Sequence, residues 1–462
     1  MEIKLKINII VFALFLSITS NMAQDFDAER LPIGDVNRKY DFCSVKLDKI
    51  FDTKASKEVS FNQMIAELKN YQIVMVGESH TNQLYHDVEL EVIKGLVEAG
   101  KPVVLALEMF NSKQDEALGK WSSGNTDPNT FMEQTDFLTT WGHNYRYYKA
   151  IFDYARDKHI PIYGANIEKQ YTSKIGRSGV GSLTEEEIKA IPEIDTANIE
   201  HKFLIKVLMQ GMDATMPDQF NNMYPAQSLW DAAMGEGAIK AAQKHPEATI
   251  VLLAGSGHVI YNIGIGRIIH DRSNFSFASV VPVDISQKVK DEGMVQIRKN
   301  MKSEKEKDTK TVDNKSEMSE NKNESTSKEN VSEKEKPANP HSMMMMDETP
   351  YKIVVKSYAD FIWGVKEMRQ ELYPAFGFSI KDELNNGGYL VERVLPQTIA
   401  FENGLKKNDI ILTIDRKTFN NSTELKKHLQ FKNWDEEISF SLMRGEEKVN
   451  LSFVIKPVKT DD

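Results

Sequence analysis

The chain of 462 residues holds a single cysteine, Cys43, so no intramolecular disulfide can staple it and stability has to come from a packed core. Basic residues are outnumbered, with 58 Lys and Arg against 68 Asp and Glu and a formal charge of -10. Phosphate binding needs clustered, unpaired Lys and Arg. The globular stretches offer no such cluster and the pI is near 5.6, so no nucleic-acid partner is expected. Long apolar runs are also missing after the first two dozen residues, and a membrane span takes about 20 such residues.

The N-terminus has a different character. Lys4 and Lys6 precede an apolar stretch over 9–18, and small and polar residues follow through Ser20 and Ala23. This is the layout of a secretory signal, predicting a signal peptide over 1–23 and a mature protein that is exported and soluble. Export without a disulfide points to a bacterial periplasm.

Apolar residues make up 40% of the chain, and about 150 residues per domain suggests two or three units. Apolar runs alternate with helical stripes: strands at 73–76, 103–107, 160–163, 250–254 and 277–283, with helices at 85–99, 147–158, 201–212 and 219–243. That alternation predicts an α/β fold, a largely parallel sheet with helices on both faces. Residues 299–340 are almost wholly polar and lack aromatics, which predicts a disordered charged insertion over 299–350. It ends in His341 and Met343 to Met346, whose donors suit soft metals or haem, although composition alone reads as a mobile tract. Residues 351–370, rich in Ile, Val, Tyr, Phe and Trp, read as a strand and helix returning to the first domain, which otherwise covers 24–298. From 371 to 460, short strands and turn signals predict a small β-rich domain.

Chemistry concentrates at strand ends. Gly-x-x-His occurs twice, as Gly77-Glu78-Ser79-His80 and Gly255-Ser256-Gly257-His258, each directly after a buried strand. In open α/β sheets ligands bind beyond the carboxyl ends of strands, where Glu78, His80, Glu108, Asn166 and His258 would gather. Two imidazoles with carboxylates admit two roles. His80, His258 and Glu78 form a two-His-one-carboxylate set for a divalent metal; alternatively, Glu78, His80, Glu108 and His258 act as acid-base groups on water or substrate. His86, six residues after His80, is a further ligand or orienting group. A nucleophile elbow needs glycines two before and two after its serine, and around Ser256 those places hold Ala254 and His258. Tyr145, Tyr147 and Tyr224 lie in aromatic stretches and are candidate haem contacts, since phenolate can ligate haem iron.

These residues carry a resemblance. Glu78-Ser79-His80 with His86, Leu107-Glu108-Met109-Phe110, Gly164-Ala165-Asn166, the stretch from Gln227 to Met234 and Gly255-Ser256-Gly257-His258 together resemble the ChaN-like haem-binding uptake family of the Tiki superfamily, over about 40–283. The resemblance implies haem binding for iron acquisition, at Glu78, His80, Glu108 and His258 with His86 nearby. The wider superfamily implies an alternative, a metal-dependent or erythromycin-esterase-like hydrolase. Where that family usually has a Pro-Arg pair after the asparagine, Ile167-Glu168 stands here, and Cys43 is misplaced for the lipid anchor many members carry. The C-terminal region resembles a PDZ domain of the bacterial protease type. Phe376-Gly377-Phe378 matches its carboxylate-binding loop, which implies an extended peptide or protein C-terminus as partner. A homodimer is compatible with this organisation.

Overall fold

A computed structural model of the chain describes residues 27–286, 349–383 and 388–458. The expected signal peptide, the charged insertion and the methionine tract lie outside the described residues, except for 349 and 350. No described helix is long and apolar enough to cross a membrane.

Fifteen strands are described, in three sheets. β1 (Phe42–Lys46) pairs antiparallel with β9 (Tyr351–Val355). The main sheet contains β2 (Ile50–Asp52), β3 (Lys57–Val59), β4 (Ile73–Glu78), β5 (Val103–Asn111), β6 (Ile162–Asn166), β7 (Thr249–Gly255), β8 (Phe277–Ile285) and β10 (Phe361–Lys366). Its order is β3-β2-β10-β8-β4-β7-β5-β6. The six strands from β10 to β6 are parallel, and β2 and β3 add an antiparallel edge.

The central strands are buried on both faces, which explains their unbroken apolar runs. Val74 and Val76 of β4, Leu105 and Leu107 of β5 and Val251 and Leu253 of β7 face one core, where the helices Gln83–Glu98 and Tyr145–Asp157 pack. Ile73, Met75, Val104, Ala106, Ile250 and Leu252 face the other, covered by the helices Pro217–Lys244 and Ile265–Arg272. Two asparagines start the first pair of helices: Asn82 and Asn144 each accept a backbone N–H of the opening turn, satisfying a donor that the helix itself leaves free.

Residues 351–365, read from sequence as a strand and a helix, form two strands joined by a single 3-10 turn. β-Branched and aromatic residues favour that outcome, and β10 gains two partners, β8 and β2. Gly364 is needed there, because an added Cβ would lie 2.2 Å from the Lys46 carbonyl oxygen.

The third sheet is antiparallel, in the order β11 (Phe378–Glu383), β12 (Tyr389–Val394), β13 (Ile410–Ile414), β14 (Glu437–Arg444) and β15 (Glu447–Val454). The helix Ser422–Gln430 packs on it through Leu425. Gly377 has φ +77°, and a Cβ there would meet the Thr398 side chain at 2.3 Å. Asn408 takes the left-handed conformation, φ 72°, which asparagine enters more readily than most residues.

Candidate functional site

Parallel register sets the site. β4 and β7 are neighbours with Glu78 level with Gly255, and β5 lies on the far side of β7 with Leu107 level with Leu253. Both Gly-x-x-His segments therefore leave the sheet side by side. β5 continues past Glu108 to Asn111 because Met109 and Phe110 are buried, so Glu108 stands inside a strand and not at its end. One of its carboxylate oxygens accepts the Gly255 N–H at 2.6 Å, tying the two strands together beneath the crevice.

Each histidine is braced by a carboxylate at Nδ1. His80 Nδ1 lies 2.9 Å from Glu78 Oε1, and His258 Nδ1 lies 2.7 Å from Asp231 Oδ1. A carboxylate at Nδ1 fixes ring orientation and leaves Nε2 for chemistry. His258 Nε2 is 3.9 Å from Glu108 Oε1. Glu78, His80 and Glu108 each offer a donor atom within 4.8 Å of the others, so Glu108 lies between the two imidazoles. An added Cβ on Gly255 would lie 3.2 Å from His80 Cε1, so this glycine gives His80 its room.

Beneath His80 lies a second buried group. His86 Nδ1 is 2.8 Å from Glu89 Oε2 and 3.1 Å from Glu78 Oε2, and Tyr148 donates its hydroxyl to Glu78 Oε1 at 3.3 Å. Beneath His258, Asp231 turns its other oxygen to His201 Nε2 at 2.9 Å.

These contacts set the charges. Burial works against a charged His258, but Asp231 and Glu108 outweigh it and lift the imidazole to about 9. His86 reaches about 9 in the same way, with Glu78 and Glu89 overcoming burial. His80 is raised despite burial by its bond to Glu78. Burial would raise Glu78 and Asp231, yet the histidines around each hold both below the ordinary carboxylate range. Glu89 moves the other way, raised by burial and by the neighbouring Glu78 charge.

The other expected site residues separate. Asn166 donates to the Glu108 carbonyl at 2.9 Å and accepts from Ile167 N–H, which stabilises the β5 and β6 ends. Tyr145 is buried in an aromatic core with Phe131, Phe137 and Phe152. Tyr224 stacks on Phe220, with its hydroxyl 3.5 Å from His201 Nδ1. Tyr147 packs against Tyr373 near the start of the C-terminal domain. Among the described residues, the ligand-competent groups are Glu78 with His80 and Glu108, and Glu78 with His86 and Glu89; His258 does not join Glu78 and His80 in such a set. Sequence reasoning gave no role to Asp231, Glu89, Tyr148 or His201. Asp231 sits in the middle of a helix, where a polar residue carries no signal of its own, although it falls within the Gln227 to Met234 motif.

The family model described as haem-binding uptake, Tiki superfamily, ChaN, matches residues 64–269, and a PDZ model matches 374–455. The chain joins a ChaN-like domain to a PDZ domain. A solved structure described as cofacial heme binding to ChaN of Campylobacter jejuni is 20% identical and spans 51% of this chain and 90% of that one, with a TM-score of 0.43. An erythromycin esterase mutant, EreC, in its open conformation is 13% identical over 53% of this chain and 77% of that one, at 0.31. The PDZ domain is similar to part of the HtrA-type protease AlgW solved with a decapeptide, 23% identical over 19% of this chain, at 0.18. This chain covers only 30% of that protease. None of the curated proteins matches the chain. Within the ChaN-like domain, the two braced histidines follow the carboxyl ends of β4 and β7, and Glu108 lies within β5 beside them.

Proposed function

We propose that the ChaN-like domain binds haem in the crevice between His80 and His258, as an exported protein of iron acquisition, while the PDZ domain binds an extended peptide or a protein C-terminus. The observation that carries the haem reading is the family match over 64–269. The donor set fits the group. Two imidazoles, each with a carboxylate at Nδ1, keep Nε2 out of that bond with side chains 30% and 14% exposed, and Trp141 and His143 pack against His80 with ring centroids 4.8 and 4.6 Å away. Tyr145 and Tyr224 are engaged in cores, so histidine rather than tyrosine is the iron ligand in this reading. Bound haem would supply iron as a Lewis acid that takes imidazole nitrogen. A ligating imidazole has to be neutral, so Glu78 and Asp231 orient the rings and accept the Nδ1 proton bond while Nε2 gives up its proton.

Haemin titration of the metal-free full chain tests this. A saturable shift of the Soret band is expected, and its absence overturns the reading.

A second reading rests on one contact. The His258–Asp231 pair faces Glu108 at 3.9 Å, an arrangement that can move a proton to or from water or substrate. A hydrolase of this kind, alone or with a divalent metal held by Glu78, His80 and Glu108, predicts turnover that His80→Ala and His258→Ala each abolish.

A further inference from the structure

A cleft of ≈ 380 Å³ opens between the two domains. One wall is the PDZ domain, with the loop at Gly377, strand β11 and the helix Ser422–Gln430; the other is the segment from Leu138 to Tyr147 of the ChaN-like domain. β11 is the outermost strand of its sheet, so one of its edges has no strand partner among the described residues and can accept an extended chain. Leu425, Leu429 and Ile380 make the groove apolar, and Lys426 adds positive charge beside it. An extended peptide with an apolar last side chain and a free carboxylate matches this lining.

The helix of the groove is fastened to the ChaN-like domain. Asn144 and Arg146 both donate to the Gln430 carbonyl, at 2.8 and 2.7 Å, and Arg146 also donates to the Lys432 carbonyl at 2.7 Å. Cationic donors at a helix C-terminus satisfy carbonyls that the helix leaves free. Gln430 in turn donates its side-chain amide to the His143 carbonyl at 3.2 Å. His143 lines the cleft and packs its ring on His80. One residue thus touches both the peptide groove and the crevice.

We propose that the cleft is a two-domain site for a protein C-terminus, in which the ChaN-like domain supplies one wall and His143 transmits occupancy to His80. This rests on reading the PDZ groove as a peptide site, and extends it by assigning binding and regulation to the partner domain. A peptide that moves the His143 ring changes its contact with His80, and by linkage a ligand bound at His80 then shifts peptide affinity by the same factor.

The test uses the full chain and a labelled pool of hexapeptides with free carboxyl ends varied at the last three positions. Thr139 is exposed at the cleft rim, so Thr139→Trp narrows the site from the ChaN-like side without touching either core. A tenfold or greater loss of peptide affinity is expected in that variant, with an unchanged melting temperature. In the wild-type chain with 15N-labelled histidine, peptide addition is expected to move the ring signals of both His143 and His80, and Lys426→Glu is expected to weaken binding. Peptide binding that is indifferent to Thr139→Trp and leaves His80 unmoved overturns the two-domain site while the PDZ reading stands. A pool that does not bind the wild-type chain at all overturns both.

Discussion

The two Gly-x-x-His copies differ in what holds the histidine. In the β4 copy the brace is Glu78, two residues earlier on the same chain segment, and His80 keeps 30% of its side chain exposed. In the β7 copy the brace is Asp231, from the helix Pro217–Lys244, and His258 is 14% exposed. The motif fixes where an imidazole leaves the sheet; the supporting carboxylate is supplied by a different part of the fold in each case. Each brace is itself shared with a deeper histidine, His86 for Glu78 and His201 for Asp231.

Removing a brace is the strongest way to break this pairing. Asp231→Ala leaves His258 and His201 without their shared carboxylate, and breaking a buried pair of this kind costs about 3–5 kcal/mol. Urea unfolding is expected to show that loss, and a change below about 1 kcal/mol would mean that Asp231 does not hold the second copy.

The pH dependence of the ligand-free chain separates the two copies next. His258 is raised to about 9 in the folded state. Its contribution is therefore complete below the unfolded value of about 6.5 and disappears as pH rises through 9, and a shift of this size is on the order of 3 kcal/mol. His86, also at about 9, loses its share over the same window. Asp231, held low, contributes above its ordinary value and loses that contribution as the solution is acidified. Denaturation followed from pH 6 to 10 should show falling stability in the wild type and a flatter curve in Asp231→Asn. Equal slopes would remove His258 from the account.

Smaller changes probe the glycines. A Cβ at Gly77 would lie 2.9 Å from Ser256 Oγ, whereas one at Gly255 meets the edge of His80. Gly77→Ala is expected to cost about 1–3 kcal/mol through overpacking with little effect on His80. Gly255→Ala is expected to move the His80 ring signals in NMR with a smaller loss of stability. The reverse pattern would mean that Gly255 serves packing alone. Least of all, Tyr224→Phe removes a hydroxyl whose contacts are 3.3 to 3.5 Å long, and a loss under about 1 kcal/mol is expected.

The same comparison shows what was legible in the sequence. β4 and β7 announce themselves because strands covered on both faces leave unbroken apolar runs, so the emergence points of His80 and His258 follow directly. β10 was harder, since an apolar run of its length fits a buried helix or a strand equally well, and its partners β8 and β2 come from distant parts of the chain. Glu78 was found through proximity to His80. Asp231 carried no local signal, because its partner is 27 residues away and only tertiary packing brings them together. Tyr145 and Tyr147 show what sequence proximity leaves out: a cluster of aromatics in sequence reads as a ligand surface, while helical spacing packs Tyr145 against Phe137 and Tyr147 against Tyr373.

The central claim is that the histidines of both copies, and no tyrosine, take the iron of haem. Haemin titration of His80→Ala, His258→Ala and Tyr147→Phe beside the wild-type chain tests it most directly. The account predicts a saturable Soret shift in the wild type and in Tyr147→Phe, weakened tenfold or more by each histidine substitution. A wild-type spectrum unchanged by haemin, or a shift that survives both histidine substitutions and is lost in Tyr147→Phe, would contradict it.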